Sequence, residues 1–150
     1  MTITFIGHSK ISRSEQLLDK VKQTILNTAK TQEHTVFFCG GYGDFDKLCL
    51  EACHAIRKTG LQCEIVFVTP YMNMSQQEKI NISIKFKEYD SSIYPPLEGV
   101  PYKLAIIKRN EWMIDKADLI VAYVNTEHGG AHRALTYARR RNKSIINLVN

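Results

Sequence analysis

The chain has 150 residues, of which 44% are hydrophobic and 23% are charged, and its formal net charge at pH 7 is +5. A chain of this length can bury a hydrophobic core without disulfides or metals, so we expect residues 1–150 to form a single domain. No apolar run approaches the roughly 18 residues of a membrane span, and the N-terminus lacks the pattern of a signal peptide. We therefore expect a cytoplasmic protein that does not associate with membranes.

Short apolar segments alternate with segments of helical periodicity along the chain. The five predicted strands are 3–6, 35–39, 63–68, 119–123 and 144–148. Their nearly continuous apolar character is typical of strands that are covered on both faces, which favours a mostly parallel sheet. The predicted fold class is α/β, a Rossmann-like three-layer sandwich with a five-stranded sheet and helices on both faces.

Three helices are predicted between these strands. The first begins at the capping-box pattern of residues 12–15, and the second runs from 45 to 59 with Asp44 as its N-cap. Pro101 opens the third helix, which carries Asn110 on an otherwise apolar face. A polar side chain in that position needs a hydrogen-bond partner.

The segment from about 70 to 100 lacks clear periodicity and contains Pro70, Pro95 and Pro96. We interpret it as an irregular insertion over the edge of the sheet, in which 76–89 is compatible with an irregular helix. Such segments serve as lids, as oligomer contacts or as plain coverings, and the sequence does not distinguish these roles.

Four cysteines are present, without a CxxC pair, a histidine cluster or a secretory context. We expect Cys39, Cys49, Cys53 and Cys63 to be reduced, and we predict no metal site and no cofactor. The basic cluster at 139–143 closes a predicted helix, where cations complement the helix dipole, so nucleic-acid binding is not expected from it.

Three loops that follow predicted strands contain the residues best suited to bind a ligand. Ligands of open parallel sheets bind outside the carboxyl ends of the strands. The first loop begins with Gly7-His8-Ser9; the second, 40–46, has three glycines in four residues; and the third, 126–131, contains Gly129 and Gly130. Glycines ahead of a helix expose N–H groups to an anion such as phosphate. In a sheet with the strand order 3-2-1-4-5, the three loops converge on one site.

The second loop is neither a Walker A motif nor the dinucleotide-binding fingerprint. No Gly-Lys-Ser or Gly-Lys-Thr closes it, and the order Gly-Gly-x-Gly does not fit the fingerprint. ATP hydrolysis and NAD binding through those motifs are therefore disfavoured. A tight turn that merely requires glycine is the alternative explanation of this loop.

The sequence resembles the SLOG superfamily of Rossmann-like domains and, within it, the DUF1273 or YpsA-like branch. The resembling stretches are 5–8, 45–52, 108–118, 129–131 and 142–147. The resemblance implies the strand order 3-2-1-4-5 and a nucleotide-type ligand. Other SLOG domains look like sensors of nucleotide-derived signals in bacterial conflict systems. The superfamily also contains phosphoribohydrolases, but 40–43 shares only the glycines of their Pro-Gly-Gly-x-Gly-Thr-x-x-Glu motif.

The first functional hypothesis is a module that binds a nucleotide or a nucleotide-derived phosphate ligand, as a sensor or a sequestering protein. In it, glycines hold phosphate, Asp46 or Asn110 recognises hydroxyls, and Tyr42 or Tyr71 stacks on a base. The candidate ligand-binding residues are Gly7, His8, Ser9, Gly40, Gly41, Tyr42, Gly43, Asp44, Asp46, Tyr71, Arg109, Asn110, Gly129, Gly130 and Ala131.

The alternative is a hydrolase or transferase that acts on the N-glycosidic bond of a nucleotide. Asp46 and Glu51 are the catalytic candidates, although a buried ion pair between Glu51 and Arg109 would explain Glu51 structurally. A protein-interaction or DNA-associated module is a third class, which a large apolar surface on 69–100 would favour. A homo-oligomer, a dimer or higher, is expected in each case.

Overall fold

The computed structural model describes residues 1–29 and 34–149. Its elements alternate as βα units require. In chain order they are β1 (Thr2–Gly7), α1 (Glu15–Ala29), β2 (Thr35–Cys39), α2 (Asp44–Arg57), β3 (Cys63–Val68), α3 (Met74–Lys85), β4 (Ser91–Ile93), α4 (Ala105–Lys116), β5 (Leu119–Tyr123), α5 (Gly130–Arg140) and β6 (Ser144–Asn147). A 3₁₀ turn at Tyr102–Leu104 precedes α4. None of the helices in these described ranges is long and apolar enough to cross a membrane.

The strands form one sheet in the order β4-β3-β2-β1-β5-β6, and all paired strands are parallel. The predicted Rossmann-like α/β class is confirmed. The predicted count of five strands is wrong, because β4 adds a sixth strand beside β3. The five predicted strands keep the predicted order relative to one another.

The 70–100 segment accounts for the additional strand. Its helix, α3, begins at Asn73, whose side chain accepts a hydrogen bond from the Gln76 N–H at 2.9 Å. Only Ile80 of α3 is buried, so the sequence shows little helical periodicity here. The strand β4 is three residues long and begins with two serines, which is a weak strand pattern at a sheet edge. The segment is thus a crossover connection that extends the sheet.

Helices cover both faces of the sheet. On one face, α1 and α2 pack on β1, β2 and β3, with Val21, Phe37 and Phe45 fully buried. On the other face, α4 and α5 pack on β1 and β5 around Ile114 and Ile120. The chain therefore folds into the three layers that the continuous apolar strands predict.

The residues that cap the starts of α1 and α2 differ from the predicted ones. At α1 the Ser14 hydroxyl accepts a hydrogen bond from the Leu17 N–H at 3.0 Å. At α2 the N-cap is Gly43, with φ +99°, and no side chain caps it. The prediction that Asp44 is the N-cap is wrong, because its carboxylate accepts a hydrogen bond from the Ile11 N–H at 3.1 Å instead.

Candidate functional site

A cavity of about 630 Å³ lies at the carboxyl ends of β1, β2 and β5, with α4 forming one side. The sheet order places the crossover point between β1 and β5, because the chain continues from β1 to β2 on one side and later returns to β5 on the other. Loops after the strands diverge at such a point and leave a crevice. The cavity occupies the position where ligands of this fold class bind.

The structure brings residues of all three predicted loops to this cavity. The candidate residues that line it are Gly7, His8, Ser9, Gly40, Tyr42, Asp46, Arg109, Asn110, Gly129, Gly130 and Ala131. Gly41, Gly43, Asp44, Glu51 and Tyr71 do not line it.

Arg109 is the most deeply placed charged residue of the cavity, and its side chain is 2% exposed. Its Nη1 donates to the carbonyl oxygens of Gly40 at 2.9 Å and Val68 at 2.6 Å, so it caps the ends of β2 and β3. Its Nε donates to Asn110 Oδ1 at 2.9 Å, which gives Asn110 the partner that its position requires. Within the described ranges Nη2 donates no hydrogen bond, and burial lowers the pKa of the guanidinium. A buried cation with a free donor is thus presented at the cavity.

Asp46 supplies a partly buried carboxyl group close to this cation. Its Oδ2 accepts a hydrogen bond from the Tyr42 N–H at 3.0 Å. Burial raises the pKa of Asp46 to about 6, although the positive charge of Arg109 and the Tyr42 hydrogen bond oppose the rise. Asp46 therefore changes its protonation state close to neutral pH, which is a property of many functional carboxyl groups.

Gly40 lies close to both of these side chains. A Cβ atom at Gly40 would lie 3.2 Å from Asp46 Oδ2 and 3.3 Å from Arg109 Nη2. Glycine at this position thus lets an acceptor and a donor approach the same point of the backbone, and both side chains line the cavity. A hydroxyl group, which both donates and accepts hydrogen bonds, matches this pair.

The remaining glycines of the 40–46 loop serve the fold. Gly41 has φ +73°, and a Cβ there would lie 2.5 Å from the Phe67 ring. A Cβ at Gly43 would lie 2.8 Å from Ser9 Cα. Two of the loop's N–H groups also have acceptors, since Tyr42 N donates to Asp46 and Asp44 N donates to the Ser9 carbonyl at 2.9 Å. With two carboxylates in the first turn of α2, this loop is poorly suited to hold phosphate.

The start of α5 has the opposite character. Gly129 is its N-cap, with φ +91°; no side chain caps the helix, and its first turn contains no acidic residue. The first N–H groups of a helix lack intrahelical partners and carry partial positive charge. A Cβ at Gly129 or Gly130 would have no heavy atom within 4 Å, so the space in front of these residues is open. Lys10 and His128 also line the cavity.

His8 joins the first and third loops. Its Nε2 accepts a hydrogen bond from the Asn125 N–H at 3.0 Å, so the neutral ring carries its proton on Nδ1. The ring also lies edge-on to Tyr123 with a centroid distance of 6.4 Å. His8 therefore holds the two loops together in addition to lining the cavity.

Glu51 and Asp44 lie on a different surface. Both line a small depression beside Arg13 and Lys47. The Glu51 carboxylate accepts hydrogen bonds from Arg13 at 2.6 and 3.3 Å, and both side chains are about half exposed. The structural alternative of a buried pair between Glu51 and Arg109 is therefore wrong.

The two tyrosines predicted to stack on a base, Tyr42 and Tyr71, lie in different places. Tyr42 lines the cavity, and its ring lies 5.5 Å from the guanidinium carbon of Arg109. Its hydroxyl accepts a hydrogen bond from Gln76 at 3.0 Å, which ties the loop to α3. Tyr71 stacks on Tyr102 with the ring centroids 4.6 Å apart. Of the two predicted stacking residues, only Tyr42 reaches the cavity.

Some lining residues are absent from the predicted set. Lys10, Asn125 and His128 belong to or adjoin predicted loops, so loop membership was the signal that could have found them. Ile106 and Met113 of α4 also line the cavity. In the sequence they look like any other apolar helical residue, and only the packing of α4 across the strand ends brings them to the site.

No group of three or more histidine, cysteine, aspartate or glutamate side chains is placed to hold a metal ion in residues 1–29 and 34–149. All four cysteines are free, and Cys39, Cys49 and Cys53 are buried. Burial raises the pKa of the Cys49 and Cys53 thiols well above the usual value. These thiols are therefore protonated and belong to the core.

No family model matches the sequence, and no curated protein matches it. Solved structures do resemble the fold. DNA processing protein A from Helicobacter pylori, whose structure is described for its single-stranded DNA binding mode, superposes with a TM-score of 0.65 and 15% identity over 100% of this chain and 66% of that chain. This chain therefore spans just under two thirds of that protein's length.

Two further solved structures resemble the fold of this chain. The structural-genomics target TM1055 gives a TM-score of 0.56 with 14% identity over 96% of this chain and 71% of that chain. The Moco carrier protein of Chlamydomonas rheinhardtii gives a TM-score of 0.53 with 13% identity over 98% of this chain and 74% of that chain. These likenesses show the Rossmann-like fold. A DNA-binding neighbour also weakly contradicts the expectation that nucleic acid is not a partner.

Proposed function

We propose that the cavity binds a nucleotide or a nucleotide-derived phosphate ligand, and that the protein is a sensor or sequestering module of the SLOG type, in its DUF1273 or YpsA-like branch. One observation carries the proposal. The same cavity joins the start of α5 at Gly129, which has no side-chain cap and no acidic residue in its first turn, to the buried cation of Arg109 and the partly buried carboxyl group of Asp46.

The phosphate group lies at the start of α5 in this proposal. The open space over Gly129 and Gly130 allows an anion to approach the free N–H groups, and Lys10 adds a positive charge. The 40–46 loop is the weaker phosphate site because the N–H groups of Tyr42 and Asp44 already have acceptors and two carboxylates lie in the first turn of α2. The phosphate-binding role that the sequence distributes over two loops thus falls to one.

The nucleoside part of the ligand lies toward Gly40. A ribose hydroxyl can bind to Asp46 and Arg109, which both line the cavity, and the exposed face of Tyr42 is available to a base. Two structural neighbours support a ligand of this general kind, since one binds single-stranded DNA and another is a Moco carrier.

A panel of nucleotides, cyclic nucleotides and ADP-ribose derivatives tests the proposal by thermal stabilisation. A ligand that binds only the folded state raises Tm, and at 100 times its Kd it adds about 2.7 kcal/mol to stability. We expect at least one nucleotide to raise Tm, and we expect Arg109→Lys, which keeps the charge but loses the planar fork, to reduce that rise. If no member of the panel changes Tm, the proposal is wrong.

N-glycosidic cleavage is the second candidate, and the raised pKa of Asp46 favours it. In hydrolysis, water adds its hydroxyl to the anomeric carbon while the bond to the base breaks and the base leaves with a proton. A carboxyl group with a pKa of about 6 can accept the proton of that water. Chromatography of each stabilising nucleotide after incubation separates the candidates, because released base indicates an enzyme and intact ligand indicates a binding module.

The homo-oligomeric state and the cytoplasmic location remain proposals as well. Light scattering after size exclusion measures the mass of the particle against the 17.2 kDa chain. A mass of two chains or more supports the oligomer, and a monomer at micromolar concentration contradicts it.

A further inference from the structure

A second cavity adjoins the first between α4 and α5, and its volume is also about 630 Å³. The two cavities have part of their lining in common, at the start of α5 and on one side of α4. The shared residues are Ile106, Asn110, His128, Gly129, Gly130 and Ala134. The helix start that we assign to phosphate therefore stands at the junction of two cavities.

The junction is open where the two glycines face it. A Cβ at Gly129 or Gly130 would meet no heavy atom within 4 Å, so backbone and free space lie where side chains would otherwise intrude. Ile106, on the facing helix, is 39% exposed. A ligand bound over these glycines can therefore extend in both directions.

The second cavity carries positive charge that the chain does not neutralise. Arg133 and Arg140 line it from α5, and neither side chain forms an ion pair or hydrogen bond within residues 1–29 and 34–149. Glu111 is the carboxylate among its described lining residues, and it accepts a hydrogen bond from Lys108 at 3.2 Å. The cavity thus has two guanidinium groups available for an anionic or aromatic ligand group.

The apolar and aromatic lining of the second cavity suits a flat ring. Ile107 contributes apolar surface, and Tyr137 contributes an aromatic side chain whose hydroxyl donates to Asp115 at 2.8 Å. Pockets that bind small organic ligands combine such apolar walls with a few fixed polar groups. A single nucleotide in the first cavity would leave this surface and both arginines without a partner.

We infer that the ligand is a dinucleotide, with a nucleoside group on each side of a central phosphate or diphosphate. The central phosphate lies over Gly129 and Gly130, one nucleoside enters the first cavity toward Asp46, and the other enters the second cavity against Tyr137 and Arg140. This inference rests on the proposed function and names the ligand class of the same site. A phosphate flanked by two nucleosides also occurs in single-stranded nucleic acid, so the test includes that source.

The test measures Kd by titration calorimetry for adenosine monophosphate and for diadenosine diphosphate. We expect the dinucleotide to bind at least about tenfold more tightly, because a second set of contacts worth about 1.4 kcal/mol changes Kd tenfold. Arg133→Ala and Arg140→Ala should each weaken dinucleotide binding by about fivefold or more, the range of a charge-assisted contact, and change mononucleotide binding by less than about twofold. Arg139→Ala is the matched control, since Arg139 is exposed on the same helix and lines neither cavity.

Four results overturn the inference. Equal affinity for the mononucleotide and the dinucleotide removes the second cavity from the site and leaves the proposed function intact. If Arg139→Ala weakens dinucleotide binding as much as Arg133→Ala and Arg140→Ala do, the arginines act only through the general charge of the helix. Tighter binding of a short oligodeoxyadenylate than of either small ligand, lost in Arg140→Ala, assigns the site to single-stranded nucleic acid. If no nucleotide binds at all, the proposed function and the inference both fall.

Discussion

The two glycine-rich loops of this protein look alike in sequence and do different things in the structure. In the 40–46 loop, Gly41 and Gly43 have positive φ angles, and added Cβ atoms would collide with Phe67 and Ser9. In the 126–131 loop, the spaces beside Gly129 and Gly130 are empty. A glycine that allows close packing and a glycine that leaves room for a ligand are the same letter in the sequence, and only the atoms around it separate the two uses.

The largest expected effect is on stability at Gly41. Replacing it by valine combines a strained φ with overpacking against Phe67, and each factor costs about 1–3 kcal/mol. We therefore expect Gly41→Val to lower the free energy of unfolding by roughly 3–5 kcal/mol, measured by urea denaturation. A loss below about 1 kcal/mol would show that this loop rearranges freely, and the distinction between the loops would fail.

The next effect concerns pH and Asp46. Its folded-state pKa of about 6 lies above the unfolded value near 4, so the folded protein binds more protons between these values and stability falls as pH rises through this window. A shift of about two units corresponds to roughly 3 kcal/mol. Asp46→Asn, which retains an acceptor for the Tyr42 N–H, should remove this fall and be the more stable protein at pH 7.

Asp90 is a matched carboxylate for comparison, because its pKa is shifted in the opposite direction from that of Asp46. It accepts hydrogen bonds from Arg57 and from the Ile65 N–H, and these interactions lower its pKa. Its contribution is therefore present above the unfolded pKa and is lost as pH falls through the folded pKa. Asp90→Asn should destabilise the protein at pH 7. If both variants shift stability in the same direction, the assignment of the raised pKa to Asp46 is wrong.

A smaller free-energy effect is expected at Gly130, and it concerns binding. Gly130 has no positive φ and has open space around it, so Gly130→Val should change stability by less than about 1 kcal/mol while its side chain occupies the proposed phosphate position. We expect nucleotide affinity to fall about tenfold or more, which is the loss of one or two charge-assisted contacts. Retained affinity in a folded Gly130→Val protein would move the phosphate away from α5.

The smallest effect is expected at Glu51. Its ion pair with Arg13 is on the surface and distant from the cavity, so Glu51→Gln should leave nucleotide affinity and turnover unchanged within about twofold. A strong loss of binding or of base release in this variant would return Glu51 to the site and contradict the placement of the cavity as the functional centre.

Much of the fold follows from patterns that the sequence carries locally. Four of the six strands are mostly buried and therefore appear as short apolar runs between helical segments, whereas β6 is recognised by its two isoleucines although none of its residues is buried. The strand β4 escaped prediction because an edge strand of three residues needs little apolar pattern, and its partner β3 supplies the hydrogen bonds. The helix α3 shows little helical periodicity in the sequence because Ile80 is its only buried residue.

The candidate site was predictable to a similar degree. Post-strand loops can be recognised in the sequence, and a parallel sheet places them all at one edge, so most of the proposed residues do line one cavity. The roles within the cavity were not predictable. Asp46 and Glu51 are both acidic residues of α2, one helical turn and one residue apart, yet one is buried beside Arg109 and the other is exposed beside Arg13.

The sequence by itself thus determined the α/β class, the order of the elements and the edge of the sheet at which a site can form, because these depend on periodicity and on the direction of the chain. The tertiary structure decided which loop has free N–H groups, which carboxyl group is buried, and that a second cavity opens beside the first. Those properties depend on the distances between residues far apart in the chain, such as Gly40, Asp46 and Arg109, which no local pattern encodes.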